Sequence, residues 1–411
     1  MLFYTANYLS LCKKETYMKN CFKHTMMNFG KVMMTMALLS SCSKSGSHSS
    51  YLLATDQGDS EKTVCLSLGQ MARIFAALPI GQEQMQEVFN AVNGSSSMGY
   101  DEEYTMKQLL TAPGTGVGED AVKAGTEYTR PLRDLLAEYL HANHDTKAGG
   151  TTPDEILSQL ELSDYQIYWP YSEDWDNSSM PIITFDPGYG SEYNEGYRLR
   201  RTSDGQIVAD TVYVDESVAR ESPVWVINRN SDSEATPLPL FVPGSKTQEA
   251  SVCSTNRILR MKSFTMLRHY DSWFQGASEF FVKCGSVNGF SASTEAELKL
   301  YSPSVTDFMV VVKRKYLNVE RQYDAILLTN FTNQLDNLAF LITEDDGGTM
   351  TSWKCSATVK IKSKSYGFDL EIPYREKDDI VWRGQLAASF FQSEDVVMGR
   401  FGDVIIKFAL E

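Results

Sequence analysis

The residues best suited to chemistry sit in aromatic-acid loops. Trp169-Pro170-Tyr171-Ser172-Glu173-Asp174-Trp175-Asp176 interleaves rings with carboxylates, and Gly188-Tyr189-Gly190-Ser191-Glu192-Tyr193 comes soon after. A flat ring covers the C–H face of a sugar while a nearby carboxylate takes its hydroxyls. Trp169, Tyr171, Trp175 and Tyr189 are therefore candidate glycan contacts. The same rings also suit packing a helical layer onto a sheet, where aromatics bury large areas. Glu173 and Asp186 are the carboxylate pair to consider for glycoside hydrolysis, which places two such groups roughly 5–10 Å apart. The chain holds 53 acidic residues, so a pair chosen by sequence alone carries little weight. There is no GxSxG elbow, phosphate-binding loop or dinucleotide glycine fingerprint.

Cation binding is the second chemistry to weigh. Glu344-Asp345-Asp346-Gly347-Gly348 reads as an acidic turn at a strand end, with Asp336, Asp378 and Asp379 at other expected loops and Asp271 before a strand. A hard cation needs six or more oxygens from converging loops. Asp336, Asp345, Asp346, Asp378 and Asp379 are candidate calcium ligands, and the segment loosely resembles β-sandwiches of the C2 type. The alternative is acidic turns facing water. His141 and His144 lie three apart near a helix end, but zinc wants three or four ligands. Imidazoles also suit a helix C-terminus for its dipole.

These residues need elements to position them. From about 65 to 162 the signals are helical. Ser67 to Gln70 fits a capping box, and Pro79 stops the helix that begins there. Met85, Val88, Phe89 and Val92 recur at helical spacing, with Asn93-Gly94 as the exit. Leu132, Leu135, Leu136, Tyr139 and Leu140 form another stripe after Pro131. Thr152-Pro153-Asp154-Glu155 is a helix start, with proline in the first turn. From 165 onward, β-branched and aromatic runs at 165–169, 181–185, 207–214 and 224–228 predict a small mixed sheet. The last 160 or so residues read as all-β. Cys355, Ala357, Val359 and Ile361 alternate with polar residues, as do Phe368, Leu370 and Ile372 beyond a turn at 364–367. That is a hairpin with one apolar face. Further strands are expected at 280–284, 308–313, 325–328, 338–343 and 404–410, which together suggest a two-sheet sandwich.

The predicted fold class is α+β: a helical layer with a small mixed sheet over 61–250, then a β-sandwich over 251–411. At 411 residues the chain is long enough for sizeable cores. The net charge of −15 becomes −19 beyond residue 41, because the leading segment holds five lysines against one glutamate. An acidic body argues against nucleic acid, which calls for clustered Lys and Arg. Cys65, Cys253, Cys284 and Cys355 are far apart with no CxxC pair, so a zinc ribbon is disfavoured. Buried thiols and disulfides both remain open for them.

One short segment gives an address. Lys19, Lys23 and Lys31 precede the apolar stretch from Val32 to Leu39, which runs into Leu39-Ser40-Ser41-Cys42. Charge, apolar core and small residues in that order are the plan of a signal peptide. The last four residues resemble the lipobox of bacterial lipoproteins, and the mature region is similar to envelope lipoproteins of gut-type Gram-negative bacteria. The resemblance implies cleavage before Cys42 and fatty acylation, palmitate included, on its sulfur. A buried methylene contributes about 0.8 kcal/mol and one chain alone binds reversibly, so two or three chains make a lasting tether. Residues 1–41 are then the signal peptide, with 1–17 superfluous if Met18, Met26 or Met27 is the start. Residues 42–60 form a Ser/Gly-rich tether.

The function expected is that of an exported, lipid-anchored envelope protein, in the outer membrane on its periplasmic or outer face. It binds a ligand or partner, a glycan or an envelope protein, without catalysis. Two rivals stand beside it. One is a secreted glycan or peptide hydrolase using paired carboxylates. The other is a structural envelope component with a large apolar patch and no cleft.

Overall fold

The computed structural model describes residues 66–111, 128–143, 151–230, 235–241 and 257–411. Cys42, the leader, the tether, His144, Cys65 and Cys253 lie outside the described residues.

Helices lead. α1 (Leu68–Ala77) starts at the expected capping box, with Ser67 and Gln70 satisfying each other's backbone N–H groups. α2 (Gln82–Ser97) runs past the exit predicted at Asn93-Gly94. Ser95 is buried there and donates to Glu103, which holds the extra turn in place. Then come β1 (Glu103–Thr105), α3 (Met106–Leu110), α4 (Leu132–Ala142) and α5 (Pro153–Glu161). α5 is capped by Thr152 and Glu155 with proline in its first turn, as its sequence requires.

A mixed sheet comes next: β2 (Tyr165–Tyr168), β3 (Ile182–Phe185), β4 (Tyr193–Arg201), β5 (Ile207–Asp215), the short helix α6 (Glu216–Glu221) and β6 (Val224–Arg229). The strand order is β1-β2-β6-β3-β4-β5, and only β3 and β6 run parallel. One face packs on the helices: Ile167, Ile183, Leu199, Trp225 and Ile227 join Phe75, Met85, Val88 and Leu136 in one core. The other face offers Tyr168, Ile182, Val214, Val224 and Val226, which bury Trp273 and Phe274 from the second half of the chain.

The second half is the expected sandwich. Its strands are β7 (Arg257–Met266), β8 (Ser278–Ser286), β9 (Ser304–Val312), β10 (Arg321–Phe331), β11 (Leu335–Glu344), β12 (Met350–Ile361), β13 (Lys364–Arg375), β14 (Asp379–Ala387), β15 (Val396–Phe401) and β16 (Val404–Leu410), with α7 (Ala388–Phe391) before β15. One sheet has the order β10-β7-β16-β15; the other runs β13-β12-β11-β8-β9, with β14 also paired to β11. Their inner faces share a core that includes Leu259, Met261, Phe264, Ile406 and Phe408 from the first and Phe280, Val282, Leu338 and Phe340 from the second. The β12–β13 hairpin is present, but it turns at Lys362 and Ser363 rather than at 364–367. Lys362 takes a left-handed φ of 57° there.

The described residues, all within one compact unit, thus stack as three layers: helices, mixed sheet, sandwich. Among the described residues, no helix is long and apolar enough to cross a membrane.

Candidate functional site

The aromatic-acid loop after β2 splits in two. Trp169 and Trp175 are almost fully buried. Trp169 lies 5.5 Å from Trp175, 6.0 Å from Trp225 and 6.0 Å from Phe89. Trp175 donates its indole N–H to the Ser179 carbonyl at 3.1 Å. These two rings bind helices to sheet and present no face to a sugar, which corrects their assignment as glycan contacts. The physical reason is area: two indoles beside a helical layer bury more apolar surface than any other local residue can. Tyr171 is half-buried, with a left-handed φ of 58°. Its hydroxyl donates to Glu216 at 2.6 Å, and Arg220 stacks over its ring at 4.8 Å.

Tyr189 is different. It is completely exposed. Gly188, Tyr189 and Gly190 have φ values of 72°, 56° and 65°, so three consecutive residues are left-handed. Gly adopts that region freely; Tyr does so only at a cost of order 1 kcal/mol. Asp186 anchors the turn by accepting the Gly188 N–H at 2.8 Å. The next strand, β4, exposes Tyr193, and its neighbour exposes Tyr213. In the β4–β5 register Tyr193 faces Asp215 and Glu195 faces Tyr213, so the two tyrosines are diagonal neighbours on one face. Further along that face Leu199 is buried and Tyr197 packs under the helices. Arg73 of α1 reaches Tyr197 at 2.9 Å and Glu195 at 3.4 Å, beyond which the ribbon is open. Tyr193 and Tyr213 thus stand exposed on one face of the ribbon, the exposed Tyr189 lies in the turn that leads into β4, and the carboxylates between them are engaged, Glu195 by Arg73 and Asp215 by the N–H of Val218 and the hydroxyl of Ser217. Tyr213 and Tyr193 were not singled out as contacts from the sequence. The signal lay in the alternation of β5, where Tyr213 takes a place on the unburied part of the face.

The two carboxylates considered for hydrolysis each have another partner. Glu173 is engaged by Lys315. Burial works to raise Glu173, but the hydrogen bond and charge of Lys315 outweigh it and hold the carboxylate below its ordinary range. A group held ionised in an ion pair is a poor general acid. Asp186 is raised by burial, against the Gly188 N–H, and its nearest role is to hold the Tyr189 turn.

Lys315 belongs to a run that the sequence reading passed over. Lys313, Arg314 and Lys315 lie just past β9, and each meets a carboxylate from a different part of the helix-and-sheet half. Lys313 meets Glu102 at 2.9 Å. Arg314 meets both oxygens of Glu216, at 3.2 and 3.3 Å, and the carbonyl of Asp271 at 2.9 Å. Lys315 meets Glu173. Three consecutive cations in an acidic chain were the available signal.

The acidic residues assigned to calcium also divide. Asp336 sits at the far end of β11 from Glu344, roughly 27 Å away at strand spacing, and pairs with Lys360 at 2.7 Å. Asp345 is buried and points to Arg375 at 3.4 Å. Asp378 accepts the Arg375 N–H at 2.9 Å. Asp336 and Asp345 are thus paired with side-chain cations, which corrects their assignment as ligands, while Asp378 keeps Oδ1 buried outside the cluster described next. Asp346 instead converges with Glu344 and Asp271: one oxygen from each lies within 4.8 Å of the others. The division falls just past the end of β11, where Asp345 is buried and Asp346 exposed. Asp379 stands directly across from Glu344 on β14. Burial raises Glu344 strongly, and the neighbouring Asp271, Asp346 and Asp379 charges add to it. Asp346 is pushed to about 7 by burial and the surrounding aspartates.

His141 lies 3.3 Å from Asp154, a surface contact between α4 and α5. Cys284 is a buried free thiol, and Cys355 is also free. Comparison of the chain with known protein families, curated proteins and solved structures finds no match.

Proposed function

We propose that this chain is an exported envelope protein, held at a bacterial membrane by lipid on Cys42, that binds carbohydrate on Tyr189, Tyr193 and Tyr213 without transforming it. The observation that carries the binding reading is Tyr189. A large aromatic side chain is held in a left-handed turn, fully in water, by two flanking glycines. Strain that no packing repays is a pointer to function. Tyrosine gives sugar C–H surfaces a flat partner and hydroxyls a hydrogen-bond partner. Tyr193 and Tyr213, exposed on the strands that follow, offer two further rings.

The anchor rests on the order of lysines, apolar core and Leu39-Ser40-Ser41-Cys42. Non-catalytic action is supported by the fate of Glu173, whose charge is spent on Lys315. Two experiments test the reading. Cys42→Ala should move the protein from the membrane fraction to the soluble fraction, and firm attachment of the variant removes the anchor. The body from residue 43 onward should retain oligosaccharides from a printed glycan array. Failure to retain any removes carbohydrate as the ligand.

A further inference from the structure

We propose that Asp271, Glu344 and Asp346 form a divalent-cation site, with calcium the favoured ion. Their oxygens already converge to within 4.8 Å. The independent observation is Glu344 itself. It is 0 % exposed, and no group outside the acidic cluster donates a hydrogen bond to either of its oxygens. Oδ2 of Asp271 is likewise buried and has no partner beyond Glu344. Buried polar atoms in proteins are nearly always satisfied, and a buried carboxylate calls for a cation.

Three nearby arginines have carboxylate partners outside the cluster. Arg314 donates to Glu216 and to the backbone carbonyl of Asp271, not to its carboxylate. Arg268 sits 2.9 Å from Asp403 and 3.8 Å from Asp379. Arg375 serves Asp345. The remainder is a set of carboxylate oxygens with an opening to solvent at Asp346, which is exposed. Such a donor set suits a hard cation that completes its shell with water, and calcium tolerates the irregular geometry better than magnesium. Asp379, opposite Glu344, gives the ion a further negative neighbour. The ion joins the β7–β8 connection, which carries Asp271, to the end of β11.

The test is calorimetric titration of the purified full chain with calcium chloride, alongside melting curves in calcium, magnesium, manganese and chelator. The expected result is one calcium per chain, with a Kd on the order of 10⁻⁴ M or tighter, and a higher melting temperature in calcium than in chelator. Asp346→Asn, on the exposed side, should fold normally and weaken binding at least tenfold. Glu344→Gln should abolish binding, and Asp336→Asn should leave it unchanged. The proposal is overturned if the wild-type chain shows no binding heat and melts at the same temperature in all four conditions. The acids would then simply share a proton. Undiminished calcium binding by both Asp346→Asn and Glu344→Gln overturns it equally.

Discussion

The indole N–H of Trp273 donates to the backbone carbonyl of Glu192 at 2.9 Å. Trp273 is fully buried between the mixed sheet and the sandwich, and Glu192 closes the exposed turn that displays Tyr189. The hydrogen bond therefore fastens a surface turn to the interior of the molecule. Trp273→Phe keeps an apolar ring and removes the donor. It should cost about 1–3 kcal/mol in denaturant unfolding and speed hydrogen exchange in residues 188–193. Unchanged exchange there would mean that the turn holds its shape without the indole.

Arg314 is the centre of the junction between the two halves. It is 8 % exposed and grips both Glu216 oxygens. Loss of Arg314 leaves Glu216 half-buried with Tyr171 and Arg220 still on it, so the cost falls below the roughly 3–5 kcal/mol of a fully buried pair that loses one partner. Arg314→Ala should still lower the urea midpoint. Arg314→Lys should recover only part of the loss, because an ammonium cannot span two carboxylate oxygens in a fork. A change under about 1 kcal/mol for Arg314→Ala would show that apolar packing around Trp273 and Phe274 holds the junction alone.

The same pair sets an acid limit on stability. Burial works to raise Glu216, but hydrogen bonds from Arg314 and Tyr171 and the arginine charges outweigh it, holding the group at about 2. A depressed carboxylate contributes stability in full above its unfolded pKa, near 4.5, and loses it as pH falls towards 2. The contribution is about 3 kcal/mol at most. Wild type should lose stability between pH 4.5 and 2 more steeply than Glu216→Gln. Equal slopes would remove Glu216 as a source of the acid sensitivity.

Tyr189 and Tyr171 offer a backbone comparison, with φ values of 56° and 58°. Tyr189→Gly relieves strain and loses no contact, so it should be neutral or stabilising by up to about 1 kcal/mol. Tyr171→Gly also relieves strain, but it forfeits the bond to Glu216 and the stacked Arg220, and should be net destabilising. Differential scanning calorimetry of the two variants checks the contrast. Destabilisation by Tyr189→Gly would place a structural duty on that ring.

Local chemistry was legible in the sequence; long-range convergence was not. The boxes at Ser67–Gln70 and Thr152–Glu155 declare their helix starts because cap and helix are contiguous. The alternation through Ile361 and again from Phe368 to Ile372 gives a hairpin, yet not its turn, since Lys362 carries no glycine or asparagine signal for a positive φ. Trp169 and Tyr189 both read as rings beside acids. Only the helix layer over one and the open water over the other separate them. Asp345 and Asp346 are adjacent in sequence, yet the first is buried and the second exposed. The partner of Asp346 at Asp271 comes from a distant strand connection, whose placement no local pattern records.

Carbohydrate binding by Tyr189, Tyr193 and Tyr213 can be decided by one paired titration. Take the strongest oligosaccharide retained by the body on an array, and titrate it into wild type and into Tyr189→Ala/Tyr193→Ala/Tyr213→Ala, with melting temperatures recorded for both. Binding at these rings requires at least a tenfold loss of affinity in the triple variant with its melting temperature essentially unchanged, since all three rings stand in solvent. Equal affinity in the two proteins would contradict it.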